Sequence, residues 1–150
     1  MSNDQHTFRA SLQLLNHYKF EVDFGEMGQL YTDEPPPLGT GQGPNPGTLL
    51  ITAIANCLAA SLLFALRKFH HDPGQLRADV IGSMQRQDGR WRVSQVKVSL
   101  YLQKPIADPS QLQRALAQFE DFCIVTQSVR QGIPVQVSVL DADQQLIHQA

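Results

Sequence analysis

The chain has 150 residues, of which 42% are hydrophobic and 17% are charged, and its net charge is −2. This composition is globular and the length is that of one ordinary domain, so we predict a single domain over residues 1–150. The near-neutral charge lacks the basic character of nucleic-acid-binding proteins, and no nucleic-acid partner is expected.

The N-terminal residues are polar and lack the apolar stretch of a secretory signal. The two cysteines, Cys57 and Cys123, are too few for a disulfide scaffold. We therefore expect a cytoplasmic protein, in which a cysteine pair is catalytic, metal-binding or simply buried.

The first quarter of the chain predicts strands followed by a loop. Apolar and polar residues alternate over residues 8–14 and 18–24, which predicts two strands joined by a tight turn at Asn16-His17. A shorter strand is predicted over residues 29–32. Residues 33–47 are dense in Pro and Gly and predict a long loop without regular structure.

A long helix is predicted from the end of this loop. Asn45 is a good N-cap residue, and Pro46 falls at the first helical position, where its missing N–H is not needed. Apolar residues then recur at helical spacing up to Arg67 and Lys68, whose charges suit the last turn. Asp72-Pro73-Gly74 ends the helix.

The predicted helix is unusually apolar. Residues 35–66 carry no charge, and residues 48–66 are long enough to cross a bilayer. The polar Thr52, Asn56 and Ser61 and many alanines weaken membrane insertion. We therefore expect no membrane association and favour a helix buried in protein, part of it across a dimer interface, because one small domain has difficulty covering it on all sides.

The remainder of the chain predicts two strands, two helices, a last strand and a polar tail: residues 76–87, 91–103, 109–119, 122–131 and 133–140. Asp88-Gly89 between the two strands is a strong hairpin signal. Asp108-Pro109 repeats the arrangement of a cap and a proline, and Gly132 suits the C-terminal end of the second helix. The predicted fold class is α+β, with antiparallel sheet and one long helix.

The two cysteines are the first candidates for chemistry. Cys57 lies mid-helix on the apolar stripe, where the helix dipole gives a thiolate no help, so its reactivity needs a cation from another segment. Cys123 lies in the first turn of its predicted helix, where free N–H groups favour an anion. For both residues the alternative is a small buried side chain that only fills the core.

Other constellations are weaker. The glycines at 39, 41 and 43 lack the Gly-Lys-Ser/Thr ending of a phosphate loop, and His70-His71-Asp72 lacks further ligands at metal-binding spacing. Three arginines near the Asp88-Gly89 turn predict a solvated hairpin tip, and Ser61 and Ser128 lack a base at a recognisable spacing. The sequence therefore predicts neither a metal nor a cofactor.

Two segments carry a resemblance to a known family. GPNPGTLLITAIANCLAASLLFALRK resembles the central helix of the OsmC/Ohr family, in which a cysteine follows eleven residues after the leading proline, as Cys57 follows Pro46. FCIVTQSVRQGIPVQVSV resembles the second motif of that family, which contains another cysteine. The order of elements also matches.

The resemblance implies both a fold and an activity. It implies an OsmC/Ohr-like domain that forms an intertwined homodimer with two active sites at the subunit interface. It also implies a thiol-dependent peroxidase that reduces organic hydroperoxides in oxidative stress, with Cys57 as the peroxidatic cysteine, Cys123 as the resolving cysteine and an external dithiol as reductant.

The sequence departs from the family pattern at the activating residues. Gly47 and Thr48 stand where the family carries a Glu, and the Arg that pairs with this Glu has no assigned position here. Ile124 follows the second cysteine where proline is usual. The alternative function is therefore a non-catalytic relative that binds a small apolar ligand at the dimer interface.

Overall fold

The computed structural model describes residues 4–150 and contains, within this range, seven strands and three α-helices. In chain order they are β1 Ser11–Asn16, β2 Lys19–Asp23, β3 Gln29–Thr32, α1 Pro46–Lys68, β4 Arg77–Gln87, β5 Arg90–Tyr101, α2 Pro109–Gln118, α3 Ile124–Gln131, β6 Ser138–Leu140 and β7 Leu146–Gln149. The strands form three antiparallel sheets of order β1-β2-β3, β4-β5 and β6-β7. The predicted α+β class is confirmed.

Contacts between residues divide the chain into two compact units. One unit comprises Met1–Ala55 and Ala78–Ser99, and the other comprises Asn56–Arg77 and Leu100–Ala150. The single domain expected from chain length stays a prediction.

The first unit is organised by the sheet β1-β2-β3 and the loop behind it. In this sheet Leu12 pairs with Val22, and Val22 pairs with Leu30 on its other side. Val22 lies in the middle strand β2 and is buried, whereas every residue of the edge strand β1 is exposed. The predicted strand over residues 8–14 was wrong at its start, since pairing begins at Ser11 and Phe8 is 97% exposed.

A buried carboxylate holds the loop between β3 and α1. Asp33 is 2% exposed and accepts hydrogen bonds from the N–H groups of Glu34, Thr40 and Gln42 and from the Thr40 hydroxyl, at 2.8–3.3 Å. A side chain at Gly39 would overlap the Asp33 carboxylate and the Glu34 carbonyl oxygen. The loop, predicted only as irregular, is therefore ordered around one anion.

Helix α1 has the predicted bounds. The Asn45 side chain accepts hydrogen bonds from the Thr48 N–H at 2.9 Å and from the Thr48 hydroxyl at 2.7 Å, as expected of an N-cap. The helix ends at Lys68, and His70 adopts a positive φ of 62° in the turn that follows. In the first unit, Gly82 of β4 approaches Ile51 so closely that an added Cβ would lie 2.9 Å from its Cγ2.

Among the described residues, α1 is the helix that is long and apolar enough to cross a membrane, with a mean hydropathy of 2.3 over an 18-residue window. Of that window, 39% is buried. One such helix is weak evidence for a span, because the core helix of a soluble protein passes the same test.

The hairpin β4-β5 turns where the sequence predicts. Asp88 and Gly89 both have positive φ angles, of 50° and 76°. Two such residues form the type I′ turn that matches the twist of antiparallel strands. The predicted Asp88-Gly89 turn is confirmed.

The second unit has a core built on the C-terminal half of α1. Leu62, Ala65 and Leu66 pack with Ala115 of α2. Partly buried side chains surround them: Phe69, Leu76, Leu100, Leu102, Ile106, Leu112 and Phe119. Asp108 caps α2 through the N–H groups of Ser110 and Gln111, as the Asp-Pro pair predicts.

Two predicted boundaries in this unit were wrong, and one strand was not predicted. The helix expected over residues 122–131 begins at Ile124, because residues 119–122 form a separate 3₁₀ turn and Cys123 is extended. The strand expected over residues 133–140 is restricted to Ser138–Leu140, since Pro134 removes a backbone donor. The polar tail contains β7, a strand that was not predicted because its two apolar residues make too short a pattern to recognise.

Candidate active site

The two cysteines meet in the second unit. Cys57 lies in the middle of α1 and is half-buried, whereas Cys123 is fully buried at the N-cap position of α3. Both are free thiols, and each lies near enough to affect the pKa of the other. Residues 66 positions apart in the sequence are therefore direct neighbours.

The backbone before α3 explains the position of Cys123. The Cys123 N–H donates to the Glu120 carbonyl at 3.1 Å, and this hydrogen bond ends the 3₁₀ turn. The Cys123 carbonyl accepts from the Gln127 N–H at 3.0 Å, and this is the first hydrogen bond of α3. At the junction Cys123 has φ −82° and ψ 93°. The first N–H groups of α3 are thus left without helical partners next to the sulfurs.

These N–H groups serve both sulfurs. The Val125 N–H acts to lower the pKa of Cys57, and the Thr126 N–H acts to lower the pKa of Cys123. A helix N-terminus stabilises negative charge through such donors. The sequence predicts this help for Cys123 alone, and the structure extends it to Cys57.

The surroundings of Cys123 favour its thiolate. Burial acts to raise the pKa of Cys123, but hydrogen bonds from Thr126, Cys57 and Ser61 outweigh burial and hold the pKa below its usual value. The Thr126 side-chain oxygen lies 3.0 Å from the Cys123 sulfur. Both hydroxyl-bearing residues are buried, with 6% and 7% exposure for Thr126 and Ser61.

The surroundings of Cys57 favour its thiol. Burial, followed by the neighbouring Cys123, raises the pKa of Cys57, and the Val125 N–H and the Ser61 hydroxyl offset this only in part. No cation is among the principal groups that act on this thiol within the described part of the chain. The first proton that the pair loses therefore leaves the negative charge mainly on Cys123.

An apolar depression opens beside Cys57. It is lined by Cys57, Ala60, Ser61, Phe64 and Phe122, with a volume of about 370 Å³. The rings of Phe64 and Phe122 meet edge to face, with centroids 5.5 Å apart. Such a surface suits an apolar ligand. A ligand bound there lies against Cys57, whereas Cys123 is fully buried.

A cation lies at the side of this depression. The Lys68 ammonium is 5.9 Å from the centre of the Phe122 ring, and the Lys68 side chain is exposed. The exposed Arg130 pairs with Glu120 at 2.7 Å.

The other candidate segments have local structural partners. The loop with Gly39, Gly41 and Gly43 folds around Asp33, and Asp72 pairs with Lys104 at 2.8 Å. Across residues 4–150 no group of three or more His, Cys, Asp or Glu side chains could hold a metal ion. At the hairpin tip, Arg86 stacks on Trp91, with its guanidinium 4.9 Å from the ring centre.

Two residues of this site were not predicted. Ser61 drew attention only as a nucleophile without a base, although it lies one turn after Cys57, on the same face of α1. Thr126 lies three residues after Cys123, where a side chain reaches back to an N-cap residue. Both spacings can be seen in the sequence. Their role becomes clear only when the structure places Cys123 at the N-cap position of α3.

Comparison with known proteins identifies the family. A family model described as OsmC-like protein matches residues 39–138, a segment that includes both cysteines. The chain belongs to the OsmC-like family. The resemblance of its two cysteine segments to this family is thereby confirmed.

Solved structures with the OsmC-like fold are similar to this chain. An osmotic stress induced and detoxification response protein from Psychrobacter arcticus 273-4 has a TM-score of 0.70 at 20% identity, with 85% of this chain and 91% of that chain covered. An organic hydroperoxide resistance protein OsmC from Legionella pneumophila has a TM-score of 0.62 at 15% identity, with 83% and 90% covered.

A third similar structure carries a ligand. It is an organic hydroperoxide resistance protein from Vibrio cholerae with captopril bound in one of its active sites, and its TM-score is 0.63 at 18% identity, with 91% of this chain and 94% of that chain covered. At these identities the likeness concerns the fold. No curated protein matches the sequence.

Proposed function

We propose that this OsmC-like protein is a thiol-dependent peroxidase that reduces organic hydroperoxides through Cys57 and Cys123 in the response to oxidative stress. The observation that carries the proposal is the neighbouring pair of free cysteines with an apolar depression on the Cys57 side. Membership of the family and the names of the hydroperoxide resistance and redox proteins that share its fold support it.

The proposed reaction has two steps. The Cys57 sulfur attacks the distal oxygen of the hydroperoxide, so that an S–O bond forms, the O–O bond breaks and the alkoxide leaves as the alcohol after it takes a proton. The Cys123 thiolate then attacks the Cys57 sulfenic sulfur, and hydroxide leaves as water. The hydroperoxide and two thiols thus become an alcohol, water and a disulfide, and an external dithiol reduces the disulfide.

Exposure supports Cys57 as the residue that attacks in the first step. Cys123 has the lower pKa, but it is fully buried, whereas Cys57 is half-buried and lines the depression. An attacking sulfur must touch the substrate oxygen, so access decides the order of the two thiols. The lower pKa of Cys123 suits the second step, because this step requires a Cys123 thiolate next to the Cys57 sulfur.

The test uses single cysteine variants and dimedone, which labels sulfenic acid. Cys57→Ser should abolish the reduction of cumene hydroperoxide, and Cys123→Ser should allow one turnover and leave dimedone on Cys57. Mass spectrometry locates the label. Dimedone on Cys123 in the Cys57→Ser protein, with none on Cys57 in the reverse variant, would invert the assignment.

The apolar depression also fits the second candidate function, a protein that binds a small apolar ligand without catalysis. Phe64 and Phe122 offer such a ligand two aromatic surfaces. In that case a stoichiometric amount of cumene hydroperoxide leaves both thiols free, as counted by alkylation before and after addition. The loss of both thiols supports the peroxidase.

The proposed protein is a cytoplasmic homodimer. Support for a second copy comes from exposed apolar side chains on β6 and β7: Val139, Leu140, Leu146 and Ile147 at 42–63% exposure. Side chains of this kind are normally covered, and an edge strand of this composition invites pairing. A reducing cytoplasm supplies the dithiol that the reaction needs.

A further inference from the structure

One face of α1 lines the apolar depression and continues beyond it. This face begins at Cys57 and includes, at intervals of three or four residues, Ala60, Ser61 and Phe64. Lys68 follows Phe64 after another four residues and is the last residue of the helix. An α-helix turns by about 100° per residue, so Lys68 lies within about 20° of Cys57 around the helix axis. The thiol and the lysine therefore belong to the same stripe of α1.

The stripe has a polar group at each end and apolar surface between them. Cys57 and Lys68 are eleven residues apart in α1, which corresponds to about 16 Å along the helix axis. The depression lies on this stretch, and its aromatic wall is formed by Phe64 and Phe122, whose ring centroids are 5.5 Å apart. An extended hydrocarbon chain loses contact with water along such a surface, which favours its binding.

The Lys68 ammonium is positioned by an aromatic ring and not by a carboxylate. It lies 5.9 Å from the centre of the Phe122 ring, within the range of a cation–π contact. Among residues 4–150 no carboxylate forms an ion pair with Lys68, and Glu120, in the turn that contains Phe122, is paired with Arg130 at 2.7 Å. The exposed ammonium is therefore available to an anion at the end of the depression.

We propose that Lys68 is a specificity-determining residue of the depression and binds the carboxylate of a long-chain ligand. The apolar chain of this ligand lies along Phe64 and Phe122, and its other end lies against Cys57. This role rests on the proposed function, in which Cys57 attacks an organic hydroperoxide. It narrows the substrate class to long-chain hydroperoxides that carry a carboxylate at the end remote from the peroxide group.

The charged neighbours of Lys68 are placed differently. Arg67 precedes it in the last turn of α1, but its position is about 80° from that of Cys57 around the helix axis. The charge of Arg67 acts on Asp72, in the turn after the helix. Asp121, which precedes Phe122, is exposed, so water and salt screen its charge. Of the two cations that end α1, Lys68 is the one on the face of Cys57.

The apolar chain and the ammonium contribute differently to binding. The chain supplies most of the affinity, because the contribution grows with the apolar area that it buries. An exposed ion pair adds little, and removal of its cation should weaken binding about threefold. Lys68 therefore selects an acid over an uncharged molecule of the same length.

The test measures how a ligand protects Cys57 from iodoacetamide on the whole reduced protein, and it needs no peroxidase activity. Mass spectrometry follows the alkylation of Cys57 separately from that of Cys123. The probes are decanoate and decanol, both below the concentration at which they aggregate. Their extended chain spans about 11 Å. The Lys68 side chain tilts toward the N-terminus of α1 and covers part of the remaining separation.

The expected result depends on the charge of the ligand. Decanoate should protect Cys57 about threefold more weakly in Lys68→Gln than in the natural protein, whereas decanol should protect both proteins equally. Comparing the two proteins with each ligand cancels the difference in solubility between the acid and the alcohol. The effect should vanish near 1 M salt, where the screening length falls to about 3 Å. Lys68→Arg keeps the charge and should behave as the natural protein does.

Arg67→Gln is the matched control, because it removes one positive charge from the same turn of α1 but from another face. It should leave the protection by decanoate unchanged. Equal losses in Arg67→Gln and Lys68→Gln would mean that only the net charge of the helix end matters, which overturns the role of Lys68. Equal protection of the natural protein and Lys68→Gln by decanoate overturns it as well, and so does the absence of protection by either ligand.

A second measurement separates the role of Lys68 from the proposed function. Consumption of a long-chain hydroperoxide with a free carboxylate, in a single turnover below saturation, should fall about threefold in Lys68→Gln. The methyl ester of the same hydroperoxide should be consumed at the natural rate. A protein that is protected as expected but reduces no hydroperoxide overturns the proposed function alone. A protein that reduces both hydroperoxides without any effect of Lys68→Gln overturns the role of Lys68 alone.

Discussion

Single residues decide which thiol has the lower pKa and which sulfur is accessible. Burial raises the pKa of both thiols, but Cys123 also has Thr126 and Ser61 as partners, and its pKa falls below the usual value. Cys57 has less compensation and the greater exposure. The resulting division gives one sulfur access to the depression and the other the lower pKa.

The aromatic wall of the depression should set the preference for apolar substrates. Phe122 is 45% exposed and packs edge to face on Phe64 beside Cys57. Phe122→Ala should raise KM for cumene hydroperoxide about tenfold at constant kcat, since an aromatic contact contributes about 0.5–1.5 kcal/mol beyond the area that it buries. Hydrogen peroxide, which has no apolar body, should be affected little.

Steady-state kinetics with both peroxides measures this difference. Phe8→Ala is the control, because Phe8 is 97% exposed and belongs to the other unit. Equal losses for the two peroxides in Phe122→Ala would contradict a role in recognising the apolar body.

At the scale of elements, polar side chains hold the N-terminal end of α1 and the loop before it. Asn45 caps the helix, and Asp33 gathers four hydrogen bonds from the loop. The apolar pattern that follows needs no such help, because burial of Leu62 and Leu66 stabilises the second half of the helix. The loop is therefore the part of the first unit that depends most on one charge.

Replacing Asp33 by Asn should lower the melting temperature and weaken its dependence on pH. The Gln42 N–H, with the Thr40 and Glu34 donors, lowers the pKa of Asp33 against the opposing effect of burial. A carboxyl group with a lowered pKa stabilises the fold at pH values above its unfolded value of about 3.9, and the contribution is lost as the pH falls through its folded value.

Thermal unfolding of the natural protein and Asp33→Asn between neutral pH and pH 3 tests this. The two proteins should differ by several degrees at neutral pH and converge in acid. Glu26→Gln, in which an exposed carboxylate between β2 and β3 is changed, is a comparison at a surface position. A difference that stays constant down to pH 3 would mean that Asp33 contributes through shape and not through charge.

At the scale of the whole molecule, the amount of exposed apolar surface is the outstanding feature. Every residue of β1, β6 and β7 is exposed, and large apolar side chains such as Leu12, Val139 and Ile147 are among them. Isolated short hairpins are marginal in water unless their apolar face is covered.

The proposed dimer should appear at micromolar concentration. Sedimentation equilibrium should yield about twice the chain mass of 16.7 kDa, because a second copy would cover the exposed strands. Val139→Lys, placed on β6, should shift the equilibrium toward the monomer, while Ile81→Lys on the separate hairpin β4-β5 is the comparison. A monomeric natural protein at this concentration would contradict the dimer.

Local sequence signals determined much of the fold. The cap Asn45, the proline after it and the stop at Asp72-Pro73-Gly74 predict α1 with both ends correct, and Asp88-Gly89 predicts its turn. Each is a short-range signal, because a cap or a turn depends on residues that are neighbours in the chain. The sequence also identified both cysteines and the OsmC-like family.

Tertiary structure alone decided how the cysteines act on each other. The proximity of Cys57 to Cys123 and the contact of Thr126 with the Cys123 sulfur both depend on α3 starting at Ile124. A pattern along one chain carries no information on which buried hydroxyl meets which sulfur. The charge on each thiol depends on those partners and on burial, and both are properties of the folded chain.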